Sequence, residues 1–217
     1  MCIRDRGNTR RRGTTVRFLP DATIFSTTRF KVETLANRLR ELSFLNPGLG
    51  IHLQDQRVDP AVLEQGRDLD GDAPPTERFD ETFLFEGGLG DFVSYLTEGK
   101  QVFHDPVVFS GEADGIEVEV AFQYTDAYSE SINSFVNCIN TVEGGQHETG
   151  FRTAHTRLMN EYARKLGVWK GKDNLTGDDV REGIMAVLHL RMTNVEFEGQ
   201  TKGKLGNPEA RAAVDAV

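Results

Sequence analysis

The 217-residue sequence predicts an α+β protein, a mainly antiparallel sheet with helices on one face. Three observations carry that prediction. In residues 115–124, Ile116, Val118, Val120, Phe122 and Tyr124 alternate with Glu117, Glu119, Ala121 and Gln123, which is the period of a strand with one buried and one wetter face. Residues 31–42, and the stretch from Gly145 to about Gly167, repeat apolar side chains every three to four positions, as amphipathic helices do. These elements interleave without the steady β-α alternation of a parallel sheet.

In chain order, residues 14–19 read as a strand that Pro20-Asp21 turns aside. The helix of 31–42 gathers Val32, Leu35, Ala36, Leu39 and Leu42 on one face, and Asn46-Pro47-Gly48 ends it. Residues 49–54 form a short strand. Residues 54–82 hold nine acids, three Arg, two Gly and Pro74-Pro75, the composition of a flexible acidic insertion. Phe83-Leu84-Phe85 is a strand and residues 90–96 a helix. The strand of 115–124 follows, with 131–141 as its expected antiparallel partner across Thr125-Asp126-Ala127. The long helix after Gly144-Gly145 has its apolar stripe on Phe151, Ala154, Leu158, Met159, Tyr162 and Leu166, with Arg152, Arg157, Arg164 and Lys165 on other faces. Thr176 is an N-cap with Asp178 and Asp179 behind it. Residues 184–192 form a strand, and Asn207-Pro208-Glu209 opens a last helix.

Composition narrows the possible functions. Fourteen Phe and abundant Val, Leu and Ile supply a sizeable core. No segment approaches the roughly 18 apolar residues of a membrane span, and Met1-Cys2-Ile3-Arg4-Asp5-Arg6 lacks the apolar core of a secretory signal. Cys2 and Cys138 are too few for a disulfide framework or a metal site, which suits a reducing cytoplasm. The formal charge of −9 is uneven: residues 1–12 carry five Arg and one Asp, about +4, leaving the rest near −13. That balance argues against a general nucleic-acid or RNA-binding module, so any DNA contact comes from local basic positions. The Arg-rich residues 1–12 read as a junction outside the domain.

Several chemistries have no motif. Glu86-Gly87-Gly88-Leu89-Gly90 lacks the Lys and hydroxyl of a phosphate loop. There is no His-Glu-x-x-His, no Gly-x-Ser-x-Gly, and no evident Cys/His nucleophile pair. Gly144-Gly145-Gln146-His147-Glu148 invites a metal or acid–base reading at His147, but reads better as a strand-to-helix turn with Glu148 near the positive helix start. Gly199-Gln200-Thr201-Lys202-Gly203-Lys204 is different. It sets an amide, a hydroxyl and two ammonium groups on a glycine-flanked loop, suited to holding a phosphate. The same residue types also build ordinary solvated loops, so this chemistry alone leaves both readings open.

The surrounding blocks decide between them. They include Gly13-Thr14-Thr15-Val16-Arg17-Phe18, Leu39-Arg40-Glu41-Leu42-Ser43-Phe44-Leu45-Asn46, Ser134-Phe135-Val136-Asn137, Glu143-Gly144-Gly145-Gln146-His147-Glu148 and Thr176-Gly177-Asp178-Asp179-Val180-Arg181-Glu182-Gly183. In this order, and with the loop at 197–206, they resemble the transducer domain of type IIA DNA topoisomerase B subunits (gyrase and topoisomerase IV). Residues 13–206 match that domain and 207–217 the start of its linker helix. The wording Gly199-Gln200-Thr201-Lys202-Gly203-Lys204-Leu205-Gly206 leans towards topoisomerase IV. Gln146, Ala127 and Cys138 depart from the family's usual Thr, Gly and Asn. A transducer of another GHKL-type ATPase, such as a MutL-type protein, is the alternative, and it would lack the Gly-Gly-x-His and Asp-Val-Arg-Glu-Gly blocks.

The resemblance implies a GHKL-type transducer fold with a left-handed β-α-β crossover. It implies that Gln200 and Lys202 reach the γ-phosphate of ATP held by an upstream domain, with Thr201 supporting the loop. The transducer then couples ATP binding and hydrolysis to DNA strand passage. Arg152 matches a position lining the DNA cavity, the alternative being a solvent-facing helix arginine. ATP and Mg2+ would belong to the parent enzyme. So would the partners, which are DNA, a B-subunit homodimer and the A subunit of the topoisomerase. The isolated chain is expected to be a cytoplasmic monomer without catalytic residues or a metal of its own.

Overall fold

The computed structural model describes residues 13–57 and 79–217. Its elements run α1 (Val32–Leu45), β1 (Ile51–Gln54), β2 (Asp80–Phe83), α2 (Leu89–Leu96), β3 (Val107–Ala113), β4 (Ile116–Tyr124), β5 (Ser131–Val136), β6 (Ile139–Asn140), α3 (Gln146–Lys165), α4 (Gly177–Arg181), β7 (Ile184–Arg191) and α5 (Pro208–Ala216). β1 and β2 pair as an antiparallel hairpin, Ile51 opposite Phe83. The other five strands form one sheet in the order β3-β4-β7-β5-β6.

β7 lies at the centre of that sheet, which explains its near-continuous apolar sequence: every residue but Arg191 is buried. Its side chains alternate between two cores. Ile184, Ala186, Leu188 and Leu190 join Ile116, Val118 and Val120 of β4 beneath Phe151 of α3 and Ala210, Ala213 and Val214 of α5. On the opposite face Val187 joins Ala121 and Phe135 beneath Phe44 and Leu45 of α1 and Leu89, Phe92 and Val93 of α2. Helices therefore cover both faces rather than one, because a strand buried on both sides needs a layer on each.

The α+β class with an antiparallel-dominated sheet holds, and five local readings change. Residues 131–141 do not pair with β4. β5 runs parallel to β7, from Ser131 opposite Met185 to Val136 opposite Leu190, while β7 pairs antiparallel with β4. The Thr125 amide and hydroxyl both donate to the Gly183 carbonyl, at 2.8 and 3.1 Å, fastening the end of β4 to the start of β7 so that β7 enters between β4 and β5. The hairpin partner of β4 is instead β3, joined through Asp114 and Gly115 at φ +52° and +73°. Asp-Gly is the residue pair that a two-residue turn with positive φ favours.

Residues 14–19 pair with no described strand, and Val16, Phe18 and Leu19 are exposed. The strand expected at 83–85 lies three residues earlier, where its register with β1 sets it. Gln54 and residues 80–82, assigned above to the acidic insertion, belong to that hairpin. Residues 1–12 and the middle of the insertion, 58–78, lie outside the described residues. Finally, only the first half of the α3 stripe is covered. Phe151 and Ala154 are buried, whereas Leu158, Met159, Tyr162 and Leu166 are exposed. A helix of 20 residues is about 30 Å long and one of nine about 14 Å, so α5 reaches only part of α3.

Candidate functional site

The loop at 197–206 is the tip of a narrow hairpin. The Glu198 amide donates to the Lys204 carbonyl (2.9 Å), the Gly206 amide donates to the Glu196 carbonyl (2.8 Å), and Phe197 faces Leu205. Buried Asn207 locks its base: its Oδ1 accepts from the Glu196 amide at 2.6 Å and its Nδ2 donates to the Asn194 carbonyl at 3.1 Å. Pro208 at the next position starts α5, where its missing amide leaves no bond unmade.

The second arm of the hairpin is bound to the root of α3. The Glu143 amide donates to the Gly203 carbonyl (2.8 Å), the Leu205 amide to the Gly144 carbonyl (3.0 Å), and the Gln146 amide to the Leu205 carbonyl (3.1 Å). Glycine at 145 allows this closeness. A Cβ there would lie 2.4 Å from the Leu205 oxygen, and its φ of +146° is one that side chains disfavour. The Gly-Gly block and the Gln-Thr-Lys block, 55 residues apart, are thus one structural unit.

At the tip, Gln200, Thr201 and Lys202 are all exposed. None of their side chains makes a hydrogen bond or ion pair with a described residue, whereas the Lys204 ammonium is held 3.0 Å from Glu198. Lys202 has φ +57°, a conformation that costs a non-glycine residue about 1–2 kcal/mol. The sequence-predicted donors are therefore together and unengaged, on a base that is fixed.

The first turns of α3 carry a polar cluster that spacing did not predict. Glu148 is buried; Ser134 Oγ donates to its Oε1 (2.6 Å) and Arg152 Nη1 lies 2.9 Å from its Oε2. Arg152 also holds Glu130 through Nε at 2.9 Å, and the other Glu130 oxygen takes Arg181 Nε at 2.6 Å. Burial raises the Glu130 pKa, but the hydrogen bonds and charges of Arg181 and Arg152 outweigh it and leave it below the usual carboxylate value. Arg152 is therefore more than a plain solvent-facing arginine, with two of its nitrogens engaged by carboxylates. It is the hub of a Glu148–Arg152–Glu130–Arg181 chain.

Arg152 and Arg181 line a cleft of about 770 Å³ that also receives Arg157, Arg164, Asn160 and Asn174. Four arginines line this cleft together with Glu161, and three of them are paired with the carboxylates of Glu130, Glu148, Asp178 and Asp215. Sequence spacing placed three of them on one helix; it gave no sign that Arg181 joins them from α4.

His147 lies inside the fold rather than at an open site. It is fully buried, with Nε2 3.1 Å from Thr141 Oγ1, and burial, with the charge of Arg152 adding to it, lowers its pKa to about 4. The turn reading holds, with α3 starting at Gln146. Among the described residues no group of three His, Cys, Asp or Glu is placed to hold a metal. One pair the sequence did not suggest is Cys138 Sγ, 3.9 Å from Nε2 of buried His189. Cys138 sits at φ +64° in the β5–β6 turn.

Comparison with known proteins places this geometry. The chain is similar to the crystal structure of the 43K ATPase domain of Thermus thermophilus gyrase B in complex with an aminocoumarin, with TM-score 0.72 and 36% identity over 91% of this chain and 49% of that one. It is also similar to the gyrase B protein of Myxococcus xanthus, with TM-score 0.69 and 28% identity over 92% of this chain and 57% of that one. The fold matches about half of each of these two solved gyrase B chains. Residues 88–217 match the DNA gyrase B family, and the B subunit of DNA topoisomerase 4 from Staphylococcus aureus is 49% identical over 216 residues. The chain belongs to the DNA gyrase B family. It covers 30% of the length of that S. aureus relative.

Proposed function

We propose that this chain is the transducer segment of the B subunit of a type II DNA topoisomerase, and that Gln200 and Lys202 contact the terminal phosphate of ATP bound by an upstream ATPase domain. The observation that carries this is the unengaged Gln200-Thr201-Lys202 tip on a hairpin bonded to the root of α3. Lys202 supplies charge and Gln200 a neutral donor, while Thr201 shapes the turn. Mg2+ serves the nucleotide in the parent enzyme and has no ligand set among the described residues of this chain.

Coupling follows from differential contact. A charge-assisted hydrogen bond is worth roughly 1.5–3 kcal/mol net. A contact made with the γ-phosphate and lost after hydrolysis biases two arrangements of the loop-bearing unit by more than tenfold. Because the hairpin is fastened to Gly144, Gly145 and Gln146, movement of the tip carries α3 and its arginine cleft with it. In the parent that cleft meets the phosphate backbone of DNA without reading sequence, Arg152 among its contacts. The partners are DNA, the A subunit of the enzyme and a second copy of the B subunit, and the setting is the cytoplasm.

The test is Lys202→Ala and Gln200→Ala in the full-length protein, with Lys204→Ala as control. ATP turnover falls at least tenfold for Lys202→Ala, less for Gln200→Ala, and not for Lys204→Ala. Equal effects from Lys202 and Lys204 would remove the phosphate-sensing role. The chain alone hydrolyses no ATP and elutes as a 24.2 kDa monomer.

A further inference from the structure

Among the cleft arginines, Arg152 and Arg181 each have two of their three guanidinium nitrogens engaged. Arg152 gives Nε to Glu130 and Nη1 to Glu148. Arg181 gives Nε to Glu130 and Nη1 to Thr156 Oγ1 at 2.8 Å, with Nη2 3.8 Å from Asp178. The two carboxylates on Arg152 are not equivalent. Glu148 is 8% exposed, sits on the helix itself and is further held by Ser134. Glu130 is 33% exposed and comes from the link between β4 and β5. By contrast, among the described residues Arg164 donates only to the Lys172 carbonyl at 3.5 Å, and Arg157 faces Asp215 in an exposed pair at 2.9 Å.

We propose that Glu130 is an intramolecular competitor for the phosphates this cleft receives. Its two oxygens bridge two guanidinium groups, as two oxygens of a phosphodiester do. A nucleic-acid backbone entering the cleft first meets Arg157 and Arg164, and then displaces Glu130 from Arg152 and Arg181. Glu148 remains in place and keeps Arg152 aimed. Glu130 thereby weakens binding and makes release easier, which suits a surface that must let DNA pass. This rests on the reading of the cleft as a DNA-backbone site.

The experiment measures anisotropy of a short fluorescein-labelled DNA duplex with the full chain, from low to physiological salt. Glu130→Gln keeps the shape and removes the charge. It tightens binding roughly three- to tenfold at low salt, the effect of deleting one negative charge beside the bound phosphates. It also steepens the dependence of log K on log salt by about one. Glu130→Asp, which keeps the carboxylate, stays near the parent affinity. A variant that merely loosens the fold would weaken binding instead, and its melting temperature is read alongside.

Arg157→Gln with Arg164→Gln separates the two layers of inference. If that double variant binds DNA as the parent chain does, the cleft is not the DNA site and the competitor role falls with it. If the double variant weakens binding but Glu130→Gln does not tighten it, the cleft reading stands and the competitor role is overturned. If no variant and no parent chain binds at low salt, the role is likewise overturned. Should Glu130→Gln melt below the assay temperature, Glu130→Ser takes its place with the same predicted direction.

Discussion

Gly145→Ala tests whether the phosphate-sensing loop and α3 form one unit. The added methyl would stand 2.4 Å from the Leu205 oxygen, 2.7 Å from its nitrogen and 2.8 Å from its Cβ. None of these is the movable end of a side chain, so the two backbones must separate. The backbone at φ +146°, ψ −162° lies in a region that is almost restricted to glycine, and holding alanine there costs about 1–3 kcal/mol. Separation also removes the Leu205–Gly144 and Gln146–Leu205 hydrogen bonds, each worth about 0.5–1.5 kcal/mol. A loss of roughly 2–6 kcal/mol follows, a fall in melting temperature of about 4–24 °C for a chain of this size. Calorimetry reads the total, and amide hydrogen exchange reads the place. Protection is lost at Glu143, Leu205 and Gln146 first, while β4 and β7 keep theirs. Unchanged melting with unchanged protection at Leu205 would refute the account of Gly145 and, with it, the rigid link from loop to helix.

The remaining predictions concern pH, capping and the core. His147, His155 and His189 are buried neutral, each with its pKa lowered from 6.5 to about 4 by burial first and a neighbouring arginine second. The folded value lies below the unfolded one, so their contribution is complete above pH 6.5 and is lost as pH falls towards 4. Each adds up to roughly 1.4 kcal/mol of destabilisation per pH unit in that window. Chemical denaturation at pH 7 and pH 5 shows the fall, and it shrinks when one of the three becomes a neutral non-titrating residue. Thr176→Ala breaks the reciprocal bonds between Thr176 and Asp179, and lowers stability by about 0.5–2 kcal/mol in urea titration. Leu188→Ala empties a fully buried site at the centre of the sheet and costs about 2–5 kcal/mol by the same method.

What the sequence determined by itself was whatever a short window records. The strand at 116–124, the helix through Val32 and Leu39, and the Thr176 cap are each read within a dozen residues, and all three elements form. Their faces differ, since Ala121 and Gln123 of β4 are buried while Phe122 and Tyr124 are half-buried. In α1 the buried apolar residues are Ala36, Phe44 and Leu45, while Val32, Leu35, Leu39 and Leu42 are half-buried. Asp114-Gly115 was equally legible as a hairpin turn, and reading it would have found β3. The donors of the site were legible too, because Gln200, Thr201 and Lys202 are neighbours in the chain.

Tertiary structure decided what depends on distant partners. β7 takes the place beside β4 that local order suggested for β5, since pairing is chosen by burial of both β7 faces rather than by proximity in sequence. Leu158 and Tyr162 follow the same helical period as Phe151, yet they are exposed because α5 does not extend over them. The bond of Leu205 to Gly144 joins two blocks some 60 residues apart, which no local pattern records. The same holds for Arg152, whose sequence context shows a helix arginine. Only the fold brings Glu130 and Arg181 to it, and ion pairs of that kind decide whether a charge is free to meet a ligand or already occupied.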